Sequence, residues 1–283
     1  MLCDMHTHSS FSPDAERGVT IAKMAERAEA LGLGYITVTD HCDCVYWNKA
    51  EEQDYPEHQK SDSMMFGARE YAVQSIKEIV RLKENYPKLL CGIELGEPLQ
   101  APEAAEKITA MKELDLIIGS LHMNAGKPDF YWMDYSKIGL DEITSLLDDY
   151  YRELLEMCSV CDFDVLAHLT YPLRYIEGDH GIKAEHDRYT EKISAIFKKL
   201  IERGKGLEIN TSGLRQKYGR TFPDLEYIKL YRKLGGEMIT LGSDAHKLGD
   251  IGAGLKEGAE LASEAGFRYT AVFRNRKAVF VKI

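Results

Sequence analysis

The stretch Leu2-Cys3-Asp4-Met5-His6-Thr7-His8 joins a short apolar run to a His-x-His pair. Residues i and i+2 of a β-strand point to the same face, so His6 and His8 present two imidazoles to one side. Asp244-Ala245-His246 repeats this spacing in the last third of the chain. Further short apolar runs end in groups suited to metal binding, namely Asp40 with His41, Glu94, His122 and His168. Strand ends that carry such groups predict one centre that binds several metal ions.

Strand-like and helix-like segments alternate along the whole chain. The predicted strands are 2–6, 35–39, 89–95, 114–121, 163–167, 206–209 and 238–241, and the predicted helices are 21–31, 66–85, 104–111, 141–158, 184–203, 224–234 and 251–264. Seven strand–helix repeats predict an α/β fold with a parallel sheet that is closed or nearly closed into a barrel. The active site of such a barrel lies at the carboxyl ends of its strands.

The remaining segments complete this picture. Residues 269–273 and 278–281 predict a terminal hairpin, and no linker interrupts the pattern, so we predict a single domain spanning residues 1–283. The polar segment 47–63 is too long for a plain connection and predicts a lid or specificity loop.

Composition limits the classes of function. The 283 residues carry a net charge of −10, which disfavours a polynucleotide partner but leaves room for a small phosphorylated metabolite, because bound cations reverse the local sign. No run is apolar enough for a membrane helix, and Met1-Leu2-Cys3-Asp4 shows no secretory pattern. We therefore expect a cytoplasmic protein with reduced thiols. Cys158/Cys161 has the spacing of a redox pair and Cys42/Cys44 that of a thiolate metal clip, but we predict neither role.

The motifs resemble those of the polymerase and histidinol phosphatase (PHP) family over essentially the whole chain. In family order, the matching stretches are Asp4-Met5-His6-Thr7-His8-Ser9, Thr37-Val38-Thr39-Asp40-His41, Gly92-Ile93-Glu94, Gly119-Ser120-Leu121-His122, Ala167-His168-Leu169 and Gly242-Ser243-Asp244-Ala245-His246. The resemblance implies a distorted seven-stranded (β/α)7 TIM-like barrel with three metal ions.

Each metal would have its own ligands if the family pattern applies. The resemblance implies that His6, His8, Glu94 and Asp244 hold the first metal, that Glu94 bridges to a second held by His122 and His168, and that Asp14, His41 and His246 hold the third. Asp14 stands where many relatives carry His. Imidazole and carboxylate ligands without thiolate suit Zn, Mn or Fe. We expect Asp4 or Asp40 to orient a ligating imidazole, although Asp4 could equally be a plain strand-start residue.

The family chemistry implies a metal-bridging hydroxide that attacks phosphorus, with Glu94, Asp244 and His246 as catalytic residues. The stretches 168–174 and 207–215 resemble the histidinol-phosphate phosphatase branch. We therefore predict phosphomonoester hydrolysis, with histidinol phosphate of histidine biosynthesis as the substrate. The alternatives are a phosphodiesterase or short-nucleotide exonuclease and a non-catalytic metal-binding regulatory module.

Four residues are candidates for substrate binding. Arg174 and Arg215 match phosphate geometry, since a guanidinium is a bidentate donor, although either could form a surface ion pair instead. Asn210 follows a predicted strand. Trp132, with Tyr131 in the loop 126–134, could pack against an imidazole or within the core.

Overall fold

Eight parallel strands form the main sheet of the computed structural model, which describes all of residues 1–283. They are β1 (Asp4–Thr7), β2 (Ile36–Val38), β3 (His41–Asp43), β4 (Leu89–Gly96), β5 (Leu116–Ser120), β6 (Val165–Leu166), β7 (Gly206–Asn210) and β8 (Ile239–Gly242). The order is β1-β2-β4-β5-β6-β7-β8, and β2 and β3 pair with successive parts of β4. Taking β2 and β3 as one interrupted strand gives seven positions, which confirms the predicted seven-stranded barrel.

Helices follow the strands and cover the outside of the sheet. They are α1 (Ile21–Ala30), α2 (Ala68–Leu82), α3 (Pro102–Thr109), α4 (Leu140–Val160), α5 (His186–Glu202), α6 (Leu225–Lys233) and α7 (Leu255–Glu264). In α1, the Thr20 side chain accepts a hydrogen bond from Lys23 N–H, while Ile21, Met24 and Ala28 form the buried face. This spacing places the apolar residues on one side of the helix. The chain contains no helix with the length and apolar character needed to span a bilayer.

The barrel closes where β1 meets the end of β8. Asp244 N–H donates to the His6 carbonyl at 2.8 Å, and His8 N–H donates to the Ala245 carbonyl at 2.9 Å. Thr7 and Ala245 form an isolated parallel bridge instead of a regular ladder. We call this junction the closure seam. It brings the first and last metal-binding motifs of the sequence side by side.

A C-terminal hairpin closes the opposite end of the barrel. Its strands are β9 (Tyr269–Arg274) and β10 (Lys277–Lys282), which confirms the predicted hairpin. Phe273 belongs to the same buried apolar cluster as Cys3 and Met5, and the Asp115 carboxylate accepts a hydrogen bond from Asn275 N–H at 3.1 Å. The carboxyl ends of the strands therefore remain as the open face.

Several predicted boundaries differ from the structure for local reasons. The second helix begins at Ala68 and not at 66, because Gly67 has a left-handed φ of 87°. The last helix begins at Leu255 and not at 251, because Gly254 has a φ of 75°. Both conformations suit glycine and interrupt a helix. Glu57–Met65, which begins inside the predicted lid, forms two short 3₁₀ turns joined by a kink at the buried Asp62.

Candidate metal centre

The predicted ligands converge at the carboxyl ends of the barrel strands. His6 lies on β1, His41 on β3 and Glu94 on β4, while the other ligands lie within four residues after a strand end, apart from Asp14 in the loop that follows β1. This placement follows from parallel topology, because every strand delivers its last residues to the same edge.

Glu94 occupies the middle of the cluster. Its Oε1 atom lies 2.8 Å from His168 Nε2 and 3.1 Å from His122 Nε2. Its Oε2 atom lies 3.1 Å from His41 Nδ1 and 3.3 Å from His6 Nε2. Burial alone would raise the pKa of Glu94, but the imidazoles of His41, His6 and His122 hold it well below its usual range. A fully ionised carboxylate with one oxygen towards each side is suited to bridging two cations.

His6, His8 and Asp244 form one side of the cluster. The two Nε2 atoms of the histidines are 3.0 Å apart, and the Asp244 Oδ1 atom is 3.7 Å from His6 Nε2 and 3.4 Å from His8 Nε2. Burial and the neighbouring His246 and His41 lower the pKa of His8 to about 3. Asp244 has a left-handed φ of 53°, a conformation that non-glycine residues adopt mainly where structure or function demands it.

Asp14, His41 and His246 meet at the outer edge of the cluster. The Asp14 Oδ2 atom lies 3.0 Å from His246 Nε2 and 3.5 Å from His41 Nε2. The imidazole of His246 also stacks on His8, with 4.0 Å between the ring centroids. His41 directs Nε2 towards Asp14 and Nδ1 towards Glu94, so it stands between two parts of the cluster.

The residue that orients the ligating histidines is Glu208, to which the sequence analysis assigned no role. Its Oε1 atom lies 2.7 Å from His6 Nδ1, and its Oε2 atom accepts the His168 backbone N–H at 2.8 Å. An acceptor on one imidazole nitrogen fixes the other nitrogen for a metal. Residues i and i+2 share a face, so Glu208 could have been found from its spacing to Asn210 at the end of β7.

The two predicted orienting carboxylates have different partners. Asp4 accepts hydrogen bonds from Ser243 and Gly252, and therefore fixes the loop that carries Asp244. Asp40 accepts hydrogen bonds from three buried serines, Ser9, Ser12 and Ser75. Neither carboxylate touches an imidazole directly, so the hypothesis of direct orientation is wrong for Asp40 and, of the two alternatives considered for Asp4, is also wrong there. The Ser12 hydroxyl provides the link, 3.0 Å from His8 Nδ1.

Asp43 and Glu97 are buried acids that the sequence analysis missed. Asp43 Oδ1 lies 3.4 Å from His122 Nδ1 and 3.8 Å from His41 Nδ1. Glu97 accepts the His122 backbone N–H at 2.7 Å. Asp43 follows His41 by two residues on a strand, so the same i, i+2 rule that selected His6 and His8 would have selected it.

The donor set fits divalent metal ions. The His/Asp/Glu clusters with suitable geometry are His8–His41–His246, His6–His8–Asp244, His41–Asp43–His122 and Glu94–His122–His168. In a metal-free site, His6 and His8 place two imidazole nitrogens against each other, and Asp43 Oδ1 is buried without a hydrogen-bond partner. Buried polar atoms are normally paired, so these atoms indicate cations between them. The six cysteines are free thiols and take no part in these clusters.

The PHP domain family model matches residues 4–212. The chain belongs to the PHP domain family. Among its relatives, a probable histidinol-phosphatase of Thermotoga maritima is 30% identical over 282 residues and covers 100% of both chains. A histidinol-phosphatase of Lactococcus lactis is 28% identical over 290 residues, covering 97% of this chain and 95% of the relative.

Solved structures show the same PHP fold. The histidinol phosphate phosphatase of Lactococcus lactis, solved with zinc, L-histidinol and phosphate, superimposes with a TM-score of 0.73 at 22% identity and covers 98% of each chain. A putative histidinol phosphatase of Listeria monocytogenes gives a TM-score of 0.75 at 17% identity, covering 90% of this chain and 99% of the other. At these identities the likeness shows the fold.

Two arginines of this PHP domain lie near Asp244 and differ in their hydrogen bonds and ion pairs. The guanidinium of Arg174 has no hydrogen bond or ion pair within the protein and lies 5.2 Å from the centroid of the Tyr175 ring. The Asp244 carboxylate is among the charges that act on it. Arg215 donates to the Ser243 carbonyl at 2.8 Å and lies 3.8 Å from Asp250. Arg174 is thus the guanidinium with its donors free.

The other two substrate candidates also differ from each other. Asn210 donates to Glu208 at 3.2 Å and to Asp244 at 3.3 Å, so the protein itself uses its amide. Trp132 is 41% exposed and packs against Tyr131. Neither the Trp132 ring nor the Tyr131 ring lies against a histidine imidazole.

Tyr171 takes the place that the sequence analysis considered for Trp132. Its ring centroid is 5.0 Å from that of His122 and 5.1 Å from that of His168. Its position three residues after His168 in the chain is the signal that could have identified it.

Proposed function

We propose that this PHP domain is a metal-dependent phosphomonoesterase that hydrolyses L-histidinol phosphate to L-histidinol and phosphate, a step of histidine biosynthesis. The observation that carries the proposal is the cluster of nine ligands with Glu94 at its centre, together with the free guanidinium of Arg174 near Asp244. Two relatives that match over 95% and 100% of this chain are named probable histidinol-phosphatases. Zinc, L-histidinol and phosphate occur together in the Lactococcus lactis structure of the same fold.

Three metal ions would share the cluster in this proposal. The first takes His6, His8, Glu94 and Asp244, the second takes Glu94, His122 and His168, and the third takes Asp14, His41 and His246. Asp43, 3.4 Å from His122 Nδ1, is an additional carboxylate beside the second group. Zn, Mn and Fe all suit this mixture of imidazole and carboxylate.

The metals would lower the pKa of bound water to supply hydroxide near neutral pH, and would neutralise the phosphoryl oxygens. In this proposal the catalytic residues are Glu94, Asp244 and His246. Glu208 fixes the direction of His6 through a 2.7 Å contact, so the imidazole needs no reorganisation when substrate binds.

In this proposal, Arg174 and Arg215 orient the phosphate group of the substrate. Arg174 is the principal donor, because a guanidinium without internal partners can form two hydrogen bonds to a phosphoryl group. Arg215 supports the site through the backbone of Ser243, beside Asp244. Asn210 holds Asp244 in place, and Trp132 lies at the rim.

The net charge favours a small substrate over a nucleic acid. A polynucleotide partner normally meets a basic surface, whereas this chain carries 46 acidic and 36 basic side chains. The phosphodiesterase activity known elsewhere in the family is therefore the second candidate.

The test is phosphate release from histidinol phosphate by protein whose metal content has been counted, with a dinucleotide diester assayed beside it. We expect rapid release from the monoester, loss of activity on chelation and recovery with Zn or Mn. His168→Ala should abolish turnover, while His180→Ala, a matched histidine outside the cluster, should leave it unchanged. Cleavage of the diester with an inert monoester would overturn the substrate assignment.

A further inference from the structure

Four carboxylates gather on the His122 side of the metal centre. Asp43, Asp62 and Glu97 are buried, and Asp129 is partly buried. No lysine or arginine lies within 4.0 Å of any of them. Asp43 Oδ1 and Glu97 Oε2 are also buried without a hydrogen-bond partner. Buried acids are normally paired, and His122 lies 3.4 Å from Asp43 and 3.6 Å from Glu97, so Asp62 and Asp129 are the two acids that no basic side chain pairs with.

Aromatic side chains surround the two outer carboxylates. Asp62 lies at the kink within Glu57–Met65, and the side chains of Trp132 and Tyr46 are close to its carboxylate. Asp129 accepts the Tyr171 hydroxyl at 3.1 Å. Since Tyr171 also packs on His122, this carboxylate lies close behind the metal centre.

The rim above these acids is open. Tyr131 is 57% exposed and Trp132 is 41% exposed, although large aromatic side chains are usually covered. An aromatic face beside a carboxylate is an environment that attracts organic cations.

The charges near the cluster are distributed unevenly. Arg174, with free donors, is influenced by Asp244, whereas Asp62 is influenced by Asp129 and Asp43, and Asp129 is influenced by His122 and Asp43. A ligand with an anionic phosphate at one end and a cation at the other would match both regions. Histidinol phosphate has this character, because it carries a phosphate, an amine and an imidazole.

We propose that Asp62 and Asp129, near the indole of Trp132, form the specificity subsite that binds the cationic half of the substrate. The subsite rests on the proposed function and selects amine-bearing phosphomonoesters over neutral ones. Burial and the adjacent carboxylates raise the pKa of Asp62 to about 7, and burial raises that of Asp129 to about 6. A bound cation relieves this repulsion, so the two carboxylates become fully ionised when the substrate is present.

The test compares Asp62→Asn and Asp129→Asn with Asp54→Asn, an exposed acid of the same segment. The kcat/KM for histidinol phosphate should fall at least about tenfold in the first two variants, because each loses one partner of a buried charge pair. The kcat/KM for p-nitrophenyl phosphate, which has no cation, should change less than about twofold. The inhibition constant for L-histidinol should rise in parallel, and the metal content should stay at the wild-type level. Equal losses on both substrates, or no loss on either, would overturn the subsite.

A second pair of substrates separates the subsite from the proposed function. If the wild-type protein leaves histidinol phosphate intact, the proposed substrate is wrong, and 2-aminoethyl phosphate is then compared with ethyl phosphate. Preference for the amine that disappears in Asp62→Asn supports the subsite without histidinol phosphate. Equal turnover of the two esters, or no binding of L-histidinol to the metal-loaded protein by calorimetry, overturns it.

Discussion

Replacing Glu208 with Gln tests whether orientation of the ligands controls metal binding. Glu208 is fully buried and serves two ligands at once, with one oxygen 2.7 Å from His6 Nδ1 and the other accepting the His168 N–H at 2.8 Å. Gln keeps the size of the side chain but turns one acceptor into a donor. That donor then faces either an imidazole N–H or a backbone N–H.

The size of the effect follows from this geometry. Loss of a hydrogen-bond acceptor behind a metal-bound histidine typically weakens metal affinity by about 10–100-fold, or about 1.4–2.7 kcal/mol. Because Glu208 contacts two ligands, we expect the upper part of this range. The loss should appear as tighter competition from a chelator and not as unfolding.

The assay is a zinc titration of chelator-treated protein against a chromophoric competitor. Glu153→Gln is the matched control, because Glu153 is also a buried carboxylate that accepts a backbone N–H, from Ala125, but it lies outside the ligand clusters. Unchanged zinc affinity in Glu208→Gln, with normal thermal unfolding, would refute the orienting role. An equal loss in Glu153→Gln would refute its specificity.

Two further predictions concern phosphate binding and pH. Arg174→Ala should lower kcat/KM for phosphomonoesters about 10–100-fold in steady-state assays, since a hydrogen bond to a charged group contributes roughly 1.5–3 kcal/mol. The control Arg188→Ala, at an exposed arginine, should leave kcat/KM unchanged. An unchanged kcat/KM in Arg174→Ala would contradict its role in phosphate binding. In metal-free protein, burial opposes protonation of His6 and His41, but the neighbouring carboxylates raise their pKa well above the usual value. The stability that these charged imidazoles contribute is fully present below about pH 6.5 and is lost as pH rises through their folded-state pKa. The Tm of chelated protein should therefore fall above about pH 6.5. Metal affinity should rise over the same range, because the imidazoles must lose their protons to bind a metal. A Tm of chelated protein that rises with pH would contradict this sign.

Much of the fold was predictable because its pattern is local. Each strand is a short apolar run, and each helix has an apolar face at helical spacing, as Ile21, Met24 and Ala28 show in α1. The predicted terminal hairpin and the seven-stranded barrel are both present in the structure. Parallel topology then explains why residues as distant in sequence as His6 and Asp244 meet.

Features that depend on tertiary contact were not predictable in the same way. Asp40 lies next to His41 in sequence, but its carboxylate is directed to three serines, and the contact to His6 comes from Glu208 on β7. A strand position gives the direction of a side chain but not the partner that it meets. For the same reason, the approach of Asp62 to the site could not be derived from the polar segment 47–63.

The position of the closure seam implies that a metal ion would also link the two ends of the barrel sheet. The first and last strands are joined there by an isolated bridge and a few backbone hydrogen bonds, and His6, His8 and Asp244 stand on its two sides. An ion coordinated by these three side chains would cross-link the two ends of the sheet. Because these ligands are residues 6, 8 and 244, they can share an ion only after the first and last strands of the sheet have met. Metal binding at these three side chains would therefore report that the barrel has closed.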